Sequence, residues 1–416
     1  QPTDANYLNG TLWGLHNTGI QGGVVGADID AEHAWDISTG STNVIVAVID
    51  TGARYTHQEL VSQMWHNPGE SGGGKENNGI DDDGDGYVDD VFGINAITGS
   101  GNPFDDNNHG THVSGTIGAQ ANGGGPHVGV AWNVQIMACK FLSAGGFGST
   151  ADAVECLNFA VLKGAKISNN SWGGGGFSQA LFDALIVARG SNHLFIAAAG
   201  NSGQNNDRSP AYPASYNLDN VISVAALDRR DQMANFSNYG LTNVDLGAPG
   251  VSIFSSVATS DSSYAYFDGT SMAAPHVTGV AALARAKYPL ETYFQTRERL
   301  LLTVVTNSAM SGRSVTGGRV NAYKALLASP DNILEMSVTP PSGEELLQGS
   351  TNVITVHVSD FFSVTNATVS GTVTPGGSIL KFLNNGLPPD LVTNDSYYTT
   401  NLVAPNIAGV SNVTIT

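Results

Sequence analysis

Three short segments of this 416-residue sequence each carry one reactive side chain in a distinctive setting. Asp50 closes an apolar run as Asp-Thr-Gly, His109 opens the segment His-Gly-Thr-His-Val, and Ser271 stands within Gly-Thr-Ser-Met-Ala. A serine hydroxyl is a poor nucleophile until an imidazole accepts its proton, and that imidazole needs a buried carboxylate to hold its tautomer. If the fold brings the three side chains together, they predict attack on a carbonyl group through an acyl-enzyme intermediate.

Alternating apolar runs and helix-like segments surround these residues and must position them. Five runs are apolar on both faces, as buried parallel strands are, at residues 43–50, 134–142, 166–171, 193–200 and 220–227. Four further segments are interpreted as helices, at residues 110–119, 149–163, 178–191 and 270–287. The alternation predicts a three-layer α/β fold with a mainly parallel central sheet, whose carboxyl edge is the place where ligands bind.

Composition narrows the classes of partner. Lysine and arginine number 17 against 36 aspartate and glutamate residues, which gives a formal net charge of −19. Nucleic acids and anionic membrane surfaces need a cationic footprint, so we expect neither as a partner. The sequence has no apolar run of about 18 residues, and we expect no transmembrane helix. The apolar settings of Cys139 and Cys156 favour buried free thiols over a disulfide.

An acidic segment precedes the histidine block. It matches the early positions of an EF-hand calcium loop, which here are Asp81, Asp83, Asp85, Gly86 and the carbonyl of Tyr87. The last EF-hand ligand is missing because Phe92 stands there, so Asp89 or Asp90 would have to complete the set. So many carboxylates would repel one another without a cation, and the hard oxygen ligands predict Ca²⁺. The alternative is a solvated acidic turn.

The three reactive segments, in the order Asp, His, Ser, resemble the signature blocks of the subtilases, the subtilisin-like serine proteases, including the thermitase-like members. The resemblance spans roughly residues 1–328. It implies a serine endopeptidase in which Asp50 orients the imidazole, His109 is the general base and Ser271 is the nucleophile. Taken singly, the three have other readings: a turn aspartate at a strand end, a structural histidine and a helix N-cap serine.

Further roles follow from the resemblance. Asn201, in Ala-Ala-Ala-Gly-Asn-Ser-Gly, matches the amide that binds the oxyanion together with the backbone N–H of Ser271. Other segments are similar to those that hold the peptide substrate, and the residues so implied are Ser171, Trp172, Gly173, Gly145, Gly146, Phe147, Ala198 and Gly200. The small Ala211 is expected to leave the primary pocket deep, which favours large apolar residues before the cleaved bond. For Trp172 the alternative is simple packing.

The resemblance also implies a second calcium site, formed by Asp4, Glu59 and Asn122, which tethers the amino terminus in thermitase-like members. The alternative is that these are ordinary surface residues. The family further implies a secreted, extracellular protein that cleaves proteins or peptides and has a propeptide as folding aid and inhibitor. We expect a monomer. The first ten residues do not have the pattern of a signal peptide, so we expect either a processed product or a trimmed chain.

The sequence changes character near Ser329-Pro330, and we predict a catalytic domain over 1–329 and a second domain over 330–416. Short alternating runs broken by Pro-Pro, Pro-Gly-Gly and Asn-Asn-Gly turns predict a small antiparallel β-sandwich there. It resembles the Ig-like modules of secreted bacterial enzymes, and its last run stops without a turn, as in an incomplete sandwich. Polymer binding, spacing and stabilisation all stay open as its role.

A competing function is a binding or adhesion protein that keeps a catalytically retired protease scaffold. It predicts the loss of a catalytic residue or of the oxyanion donor, and the sequence retains Asp50, His109, Ser271 and Asn201. A lipase-like hydrolase fits less well, because the segment around Ser271 lacks the second glycine of the Gly-x-Ser-x-Gly motif.

Overall fold

A nine-stranded, mainly parallel sheet forms the centre of the first of two compact units, Gln1–Leu327, in this computed structural model. The structure describes residues 1–328, 335–340, 346–359, 367–374, 378–390, 397–404 and 412–415. The strands of the first unit are β1 (Gly40–Asp50), β2 (Gly93–Asn95), β3 (Asn133–Lys140), β4 (Ile167–Asn170), β5 (Leu194–Ala198), β6 (Val221–Leu227), β7 (Leu246–Pro249), β8 (Ile253–Val257), β9 (Ser263–Phe267), β10 (Val305–Thr306) and β11 (Gly318–Arg319). The spatial order in the sheet is β10-β11-β7-β6-β5-β4-β1-β3-β2, and β8 and β9 form a separate antiparallel hairpin.

Helices cover both faces of the sheet. They are α1 (Ala5–Leu8), α2 (Ala31–Ala34), α3 (His109–Gly118), α4 (Thr150–Leu162), α5 (Gln179–Gly190), α6 (Thr270–Lys287), α7 (Tyr293–Leu302) and α8 (Ala322–Leu327), with a 3₁₀ turn at Ile20–Gly22. Because side chains alternate along a strand, Val48 of β1 packs in the core that contains α3 and α6, whereas Ile49 packs in the core that contains α4 and α5. The predicted three-layer α/β fold with a mainly parallel sheet is confirmed. The predicted strands and helices differ from β1, β3–β6 and α3–α6 by at most three residues at either end.

The position of β1 determines where a site can form. It pairs in parallel with β3 on one side and with β4 on the other, so the direction of strand order reverses beside it. At such a point the connections leave the sheet toward opposite faces, which opens a crevice beyond the carboxyl ends of the strands. Asp50 is the last residue of β1 and lies beside Lys140, the last residue of β3.

The second unit spans Ala328–Thr416 and contains two three-stranded antiparallel sheets, β12-β13-β16 and β15-β14-β17. The strands are β12 (Glu335–Thr339), β13 (Thr351–Ser359), β14 (Ser370–Thr374), β15 (Ser378–Lys381), β16 (Tyr397–Val403) and β17 (Asn412–Ile415). Val356 of β13, Val373 of β14 and Tyr398 of β16 belong to one apolar cluster that draws on both sheets. The sandwich prediction fits this arrangement, while the Ig-like resemblance stays a prediction. The boundary predicted at Ser329–Pro330 lies outside the described residues.

Two general expectations of the sequence concern this fold. Cys139 of β3 and Cys156 of α4 are buried and free. Across the described ranges, no helix is both long enough and apolar enough to cross a membrane.

His193 shows how the core fixes a titratable group. It is fully buried before β5, where Nδ1 donates to the carbonyl of Ala165 and Nε2 accepts from the hydroxyl of Ser168, both at 2.8 Å. The contact with the carbonyl requires a proton on Nδ1, and the Ser168 hydroxyl can donate to Nε2 of the neutral ring. Burial lowers the pKa of His193 to about 4.

The unfolding free energy should therefore depend on pH through His193. Between about pH 6.5, the usual pKa of histidine, and about pH 4, the unfolded chain binds the proton more readily, so acid favours unfolding. The destabilisation caused by His193→Gln should shrink by about 2 kcal/mol between about pH 7.5 and about pH 5, since the variant lacks this proton uptake. Urea unfolding followed by tryptophan fluorescence reports on the first unit, which contains His193, because all 5 tryptophans lie within residues 1–327. A constant difference between wild type and variant would contradict the prediction.

Candidate active site and cation clusters

A carboxylate and an imidazole meet at the end of β1. The Asp50 side chain is fully buried, and its Oδ1 accepts from His109 Nδ1 at 2.8 Å and from the backbone N–H of Thr51 at 2.7 Å. A carboxylate only accepts, so His109 carries its proton on Nδ1 and leaves Nε2 as a base. Burial alone lowers the pKa of His109, but the charge and hydrogen bond of Asp50, followed by the charge of Asp105, raise it overall.

Ser271 lies in the first turn of α6, and a reciprocal contact joins it to the residue after β4. Its Oγ donates to the carbonyl of Ser171 at 3.0 Å, and the Ser171 hydroxyl donates to the carbonyl of Ser271 at 2.7 Å. The first N–H groups of a helix have no partner within that helix. The serine therefore lies at the positive end of the α6 dipole, where negative charge is stabilised.

Asn201 lies beside this helix start. Its Oδ1 accepts from both the backbone N–H and the hydroxyl of Thr270, each at 2.9 Å, which turns the amide nitrogen away from Thr270. A methyl group added to Gly269 would lie 3.6 Å from Asn201 Nδ2 and 3.5 Å from the backbone nitrogen of Ser271. Two N–H donors thus border the same small space, which the glycine keeps open.

Residues around Ser171 form a surface of small side chains. The N–H of Gly174 donates to the carbonyl of Tyr212 at 3.2 Å, and a methyl group on Gly200 would lie 3.7 Å from the Cβ of Ala211. A methyl group added to Gly173 would lie 3.4 Å from the carbonyl oxygen of Tyr212. Ala198, at the end of β5, is buried in the core that contains α3 and α6.

The Trp172 side chain points away from Ser271. Its ring meets Phe141 edge-on at 4.8 Å between centroids and packs against the core that contains α4 and α5. This contact favours the packing alternative for the Trp172 side chain. Successive side chains of an extended segment point to opposite faces, so Ser171 facing α6 sends Trp172 to the other layer.

The segment with Gly145, Gly146 and Phe147 forms an exposed turn between β3 and α4. The Gly146 N–H donates to the carbonyl of Ser143 at 2.8 Å, and the Phe147 side chain is 79% exposed. The amide of Asn107 donates to the carbonyl of Ala144 at 2.7 Å. This bond ties the turn to the loop that leads into His109.

The acidic segment forms two adjoining clusters of carboxylates. Glu70, Asp81 and Asp83 make one, and Asp83, Asp85 and Asp90 make the other, with oxygen atoms within 4.8 Å of one another in each. Asp90 is fully buried, and burial, then the charge of Asp85, raises its pKa to about 7. Removing charged oxygens from water in this way is costly unless a cation neutralises them.

The two remaining candidates of this segment do not join the clusters through their side chains. The Asp89 carboxylate accepts from the backbone N–H groups of Asn78 and Gly79, as a turn residue does. The Tyr87 hydroxyl pairs with Glu155. Of the two acids that could follow the EF-hand pattern, Asp90 is the one that joins a cluster.

Glu70 is the residue that the sequence pattern missed. It is fully buried, and Oε1 accepts from the N–H groups of Asp82 and Asp83 at 2.6 and 3.2 Å. Its Oε2 is buried with no hydrogen-bond partner in the described part of the chain, which suits a metal ligand. The EF-hand pattern could not reveal Glu70, because it precedes the loop and is brought in by the fold.

Lys163, just after α4, also enters these clusters. Its ammonium group pairs with Asp83 and lies 2.8 Å from an oxygen of Asp85. The lysine supplies one positive charge to the five acids of the two clusters. It therefore neutralises the clusters only in part.

Two of the three residues predicted to form a second cation site, Asp4 and Asn122, are in direct contact. The N–H of Asn122 donates to Asp4 Oδ2 at 3.0 Å, whereas the Asn122 side-chain oxygen accepts from the N–H of Thr3. Glu59 Oε1 accepts from the Tyr264 hydroxyl at 2.6 Å, and Glu59 Oε2 is buried without a partner among the residues described. Burial raises the pKa of Glu59 to about 7, and the charge of Asp4 adds to this effect.

The fold and this site define the class of protein: an α/β serine hydrolase whose acid and base stand at a strand end and a helix start. The subtilase family model matches residues 41–325. The chain belongs to the subtilase family, and the predicted class, a subtilisin-like serine endopeptidase, is confirmed.

Several relatives share much of the chain. A thermophilic serine proteinase of Bacillus sp. (strain AK1) is 35% identical over 329 residues, which are 78% of this chain and 72% of the relative. Subtilisin DY of Bacillus licheniformis is 36% identical over 262 residues, covering 63% of this chain and 83% of that protein. For subtilisin-like protease 2 of Plasmodium falciparum, 33% identical over 71% of this chain, the match spans 21% of the relative.

Solved structures give the same fold. A cold adapted subtilisin-like serine proteinase has a TM-score of 0.55 and 30% identity, over 67% of this chain and 88% of that one. A protease from Pseudoalteromonas arctica has a TM-score of 0.64 and 28% identity, over 79% of this chain and 99% of that one.

The contact of Lys163 with the acidic clusters yields a test of cation binding. Without a divalent cation, Lys163→Met should lower the Tm, because it removes the positive charge beside Asp83 and Asp85. Adding millimolar calcium should then raise the Tm of the variant more than that of wild type; one ion at 100 times its Kd adds about 2.7 kcal/mol. Lys166→Met, at a lysine that donates to the Ser191 carbonyl, is the matched control. Equal responses to calcium in wild type and both variants would contradict the role given to Lys163, and a wild type indifferent to chelator and calcium would remove the ion altogether.

Proposed function

We propose that this protein hydrolyses peptide bonds with Asp50, His109 and Ser271 as its catalytic residues. The observation that carries the proposal is the 2.8 Å hydrogen bond from His109 Nδ1 to the buried carboxylate of Asp50. That bond holds the proton of the neutral ring on Nδ1, so Nε2 is the nitrogen that can accept a proton. The start of α6 presents the Ser271 hydroxyl at the same edge of the sheet, where it would take up the role of nucleophile.

The proposed reaction proceeds in two halves. As Ser271 Oγ attacks the peptide carbonyl carbon, its proton passes to His109 Nε2, and Asp50 stabilises the imidazolium that forms. His109 then gives that proton to the departing amine, which leaves an acyl group on Ser271. Water then attacks the acyl carbonyl while His109 takes its proton, and His109 returns that proton to Ser271 Oγ as the bond to the acyl group breaks and the acid product leaves.

Asn201 and the backbone N–H of Ser271 are proposed to bind the oxyanion of both tetrahedral intermediates. The side-chain oxygen Oδ1 of Asn201 already accepts hydrogen bonds from Thr270, so the side-chain nitrogen Nδ2 is oriented before substrate arrives. Donors fixed in advance need no reorganisation during the reaction, which is the source of their catalytic effect.

The substrate is proposed to be a protein or peptide bound in an extended form, with little selectivity except before the cleaved bond. The segments Ser171–Gly173 and Gly145–Phe147 would flank its backbone, and the small residues Gly173, Gly200 and Ala211 would leave a deep primary pocket for a large apolar side chain. The exposed Phe147 is available to contact residues further from the cleaved bond.

Calcium is proposed to stabilise the enzyme at two places. The ligands of the acidic segment would be Asp81, Asp83, Asp85, Asp90, the Tyr87 carbonyl and, in addition to the sequence prediction, Glu70. Asp4, Glu59 and Asn122 would hold a second ion near the amino terminus. Both sets offer oxygen atoms alone, which suits Ca²⁺ rather than zinc. Its bound charge would neutralise buried carboxylates that are otherwise costly. We further propose secretion and a propeptide that assists folding and inhibits the enzyme.

The competing proposal of a retired scaffold for binding or adhesion has less support. It requires a broken catalytic set, and the sequence retains all three catalytic residues together with Asn201.

Loss of the nucleophile gives the direct test. Ser271→Ala should lower kcat on casein or a peptide substrate by about 10⁴ or more while the fold is kept, because its side chain makes only the bond to the Ser171 carbonyl among the contacts described. Wild type should react once per chain with a serine-directed phosphonate, and the variant should not. Ser262→Ala, at an exposed serine, serves as control and should behave as wild type. Undiminished hydrolysis by Ser271→Ala would falsify the assignment, and an inactive, unlabelled wild type would favour the retired scaffold.

The oxyanion donor has a separate signature. Asn201→Ala should reduce kcat by about 10²–10³ with little change in KM, the loss recorded for such a donor in subtilisin itself, because the donor acts on the transition state. Ser202→Ala, at the exposed neighbouring residue, should leave both constants unchanged. An effect of Asn201→Ala confined to KM would count against the proposed role.

A further inference from the structure

Asp105 is a buried acid beside the catalytic histidine that no step of the reaction uses. It is 2% exposed and accepts five hydrogen bonds. The donors are the hydroxyl of Thr51 at 2.8 Å, the N–H groups of Asn107 and Asn108 at 2.9 and 3.1 Å, and the N–H and hydroxyl of Thr111 at 3.0 and 2.6 Å. An ionised carboxylate can accept all five, whereas an amide or a protonated acid would set a donor against a donor.

These donors come from both sides of the Asp50–His109 pair. Thr51 follows Asp50 directly, and its hydroxyl in turn accepts from the N–H of Gly110, the residue after His109, at 2.8 Å. A chain of two hydrogen bonds thus runs from Asp105 through Thr51 to the backbone of α3. It fixes the end of β1 against the start of α3, and with it the separation of the acid and the base.

Asp105 also caps the helix that carries the base. Asn108, the residue before α3, has a φ of 104° and makes no capping hydrogen bond through its own side chain. The Thr111 N–H, three residues further, is bound by Asp105, and the Gly110 N–H by Thr51. The capping hydrogen bonds, which usually come from the residue just before the helix, here come from Asp105 in the preceding loop and from Thr51 at the end of β1.

We propose that Asp105 is a positioning residue of the protease, one that holds His109 against Asp50 and adds a second negative charge in support of the imidazolium. The inference rests on the proposed catalytic function. It assigns two separable effects to one side chain: geometry, transmitted through Thr51 and Thr111, and charge, which acts through space on His109.

The charges around His109 agree with this assignment. Burial lowers the pKa of His109, the charge and hydrogen bond of Asp50 raise it, and the charge of Asp105 raises it further. His112, one turn along α3, stays neutral because burial lowers its pKa to about 3. The neighbouring Asp106 is half-exposed and paired with Lys140 at 2.7 Å, so water and the ammonium group screen its charge.

The charge effect is tested with Asp105→Asn against Asp106→Asn, which removes an equal charge one residue away. The pKa of His109, followed by NMR of labelled histidine in a Ser271→Ala background, should fall by about 0.5 or more in Asp105→Asn and clearly less in Asp106→Asn. In active protein, kcat should fall at least about tenfold for Asp105→Asn with KM little changed, and the acid limb of the kcat/KM profile should move to lower pH. Equal shifts in the two variants, or none, would overturn the inference.

The geometric effect is tested with Thr51→Val, which also serves if Asp105→Asn does not fold. Valine has nearly the shape of threonine, and the charge of Asp105 is kept, but the hydrogen-bonded link from Asp105 to Gly110 is lost. We therefore expect kcat to fall while the pKa of His109 stays that of wild type. Thr51→Ser restores the hydroxyl and should restore kcat. Unchanged kcat in Thr51→Val would overturn the geometric role. A wild type without peptidase activity would instead overturn the proposed function, and the NMR titration would still decide the role of the Asp105 charge.

Discussion

The structure depends on one buried contact, the hydrogen bond between the Asp50 carboxylate and the His109 imidazole. Removing a charged carboxylate from water is costly unless donors bind it. Here two donors, the ring of His109 and the N–H of Thr51, share Oδ1 of Asp50, while Oδ2 is buried with no hydrogen-bond partner among the residues described. The same contact fixes the tautomer that makes His109 a base. The hydrogen bond that offsets part of the cost of burying Asp50 is thus the one that orients the imidazole.

The sheet explains how this contact can exist. β1 has neighbours on both sides and helices on both faces, so its final residue is buried while the chain beyond it turns into the crevice. The histidine and the serine lie on α3 and α6, two helices that are distant in sequence but packed in the same core. Each helix starts at the carboxyl edge of the sheet, so its positive dipole end faces the candidate site. At α3 the N–H groups of Gly110 and Thr111 are bound by Thr51 and Asp105.

The acidic clusters also contain buried carboxylates whose charge must be offset, and here a cation rather than an imidazole is suited to do so. Glu70, Asp90 and Glu59 are buried acids, and Glu70 and Glu59 each have one oxygen with no hydrogen-bond partner among the residues described. The pKa of Asp90 and that of Glu59 rise to about 7 because burial penalises the charged form. At the end of β1 the protein supplies the His109 imidazole to the buried Asp50. At the acidic segment it supplies Lys163, and both groups of acids present further oxygen atoms, an arrangement that suits a divalent cation.

The sequence by itself determined the elements, the chemical class and the three catalytic candidates, because apolar periodicity and short motifs are local properties. The alternation of runs gave β1 and β3–β6, and the order of the blocks identified the family before any contact was known. What it could not give is which side chains face one another. Asp50 and His109 are 59 residues apart, and Ser171 and Ser271 are 100 apart.

Only the tertiary structure decided the supporting residues. In the structure, the Trp172 side chain packs in the core on the other face of the sheet, and Asp90 rather than Asp89 joins an acidic cluster. Three further residues, which the sequence motifs did not include, contact these sites: Glu70, Lys163 and Asp105. A local pattern records the spacing of residues along the chain. The direction of a side chain, and the partner that a buried charge requires, are set by packing between segments that are distant in sequence.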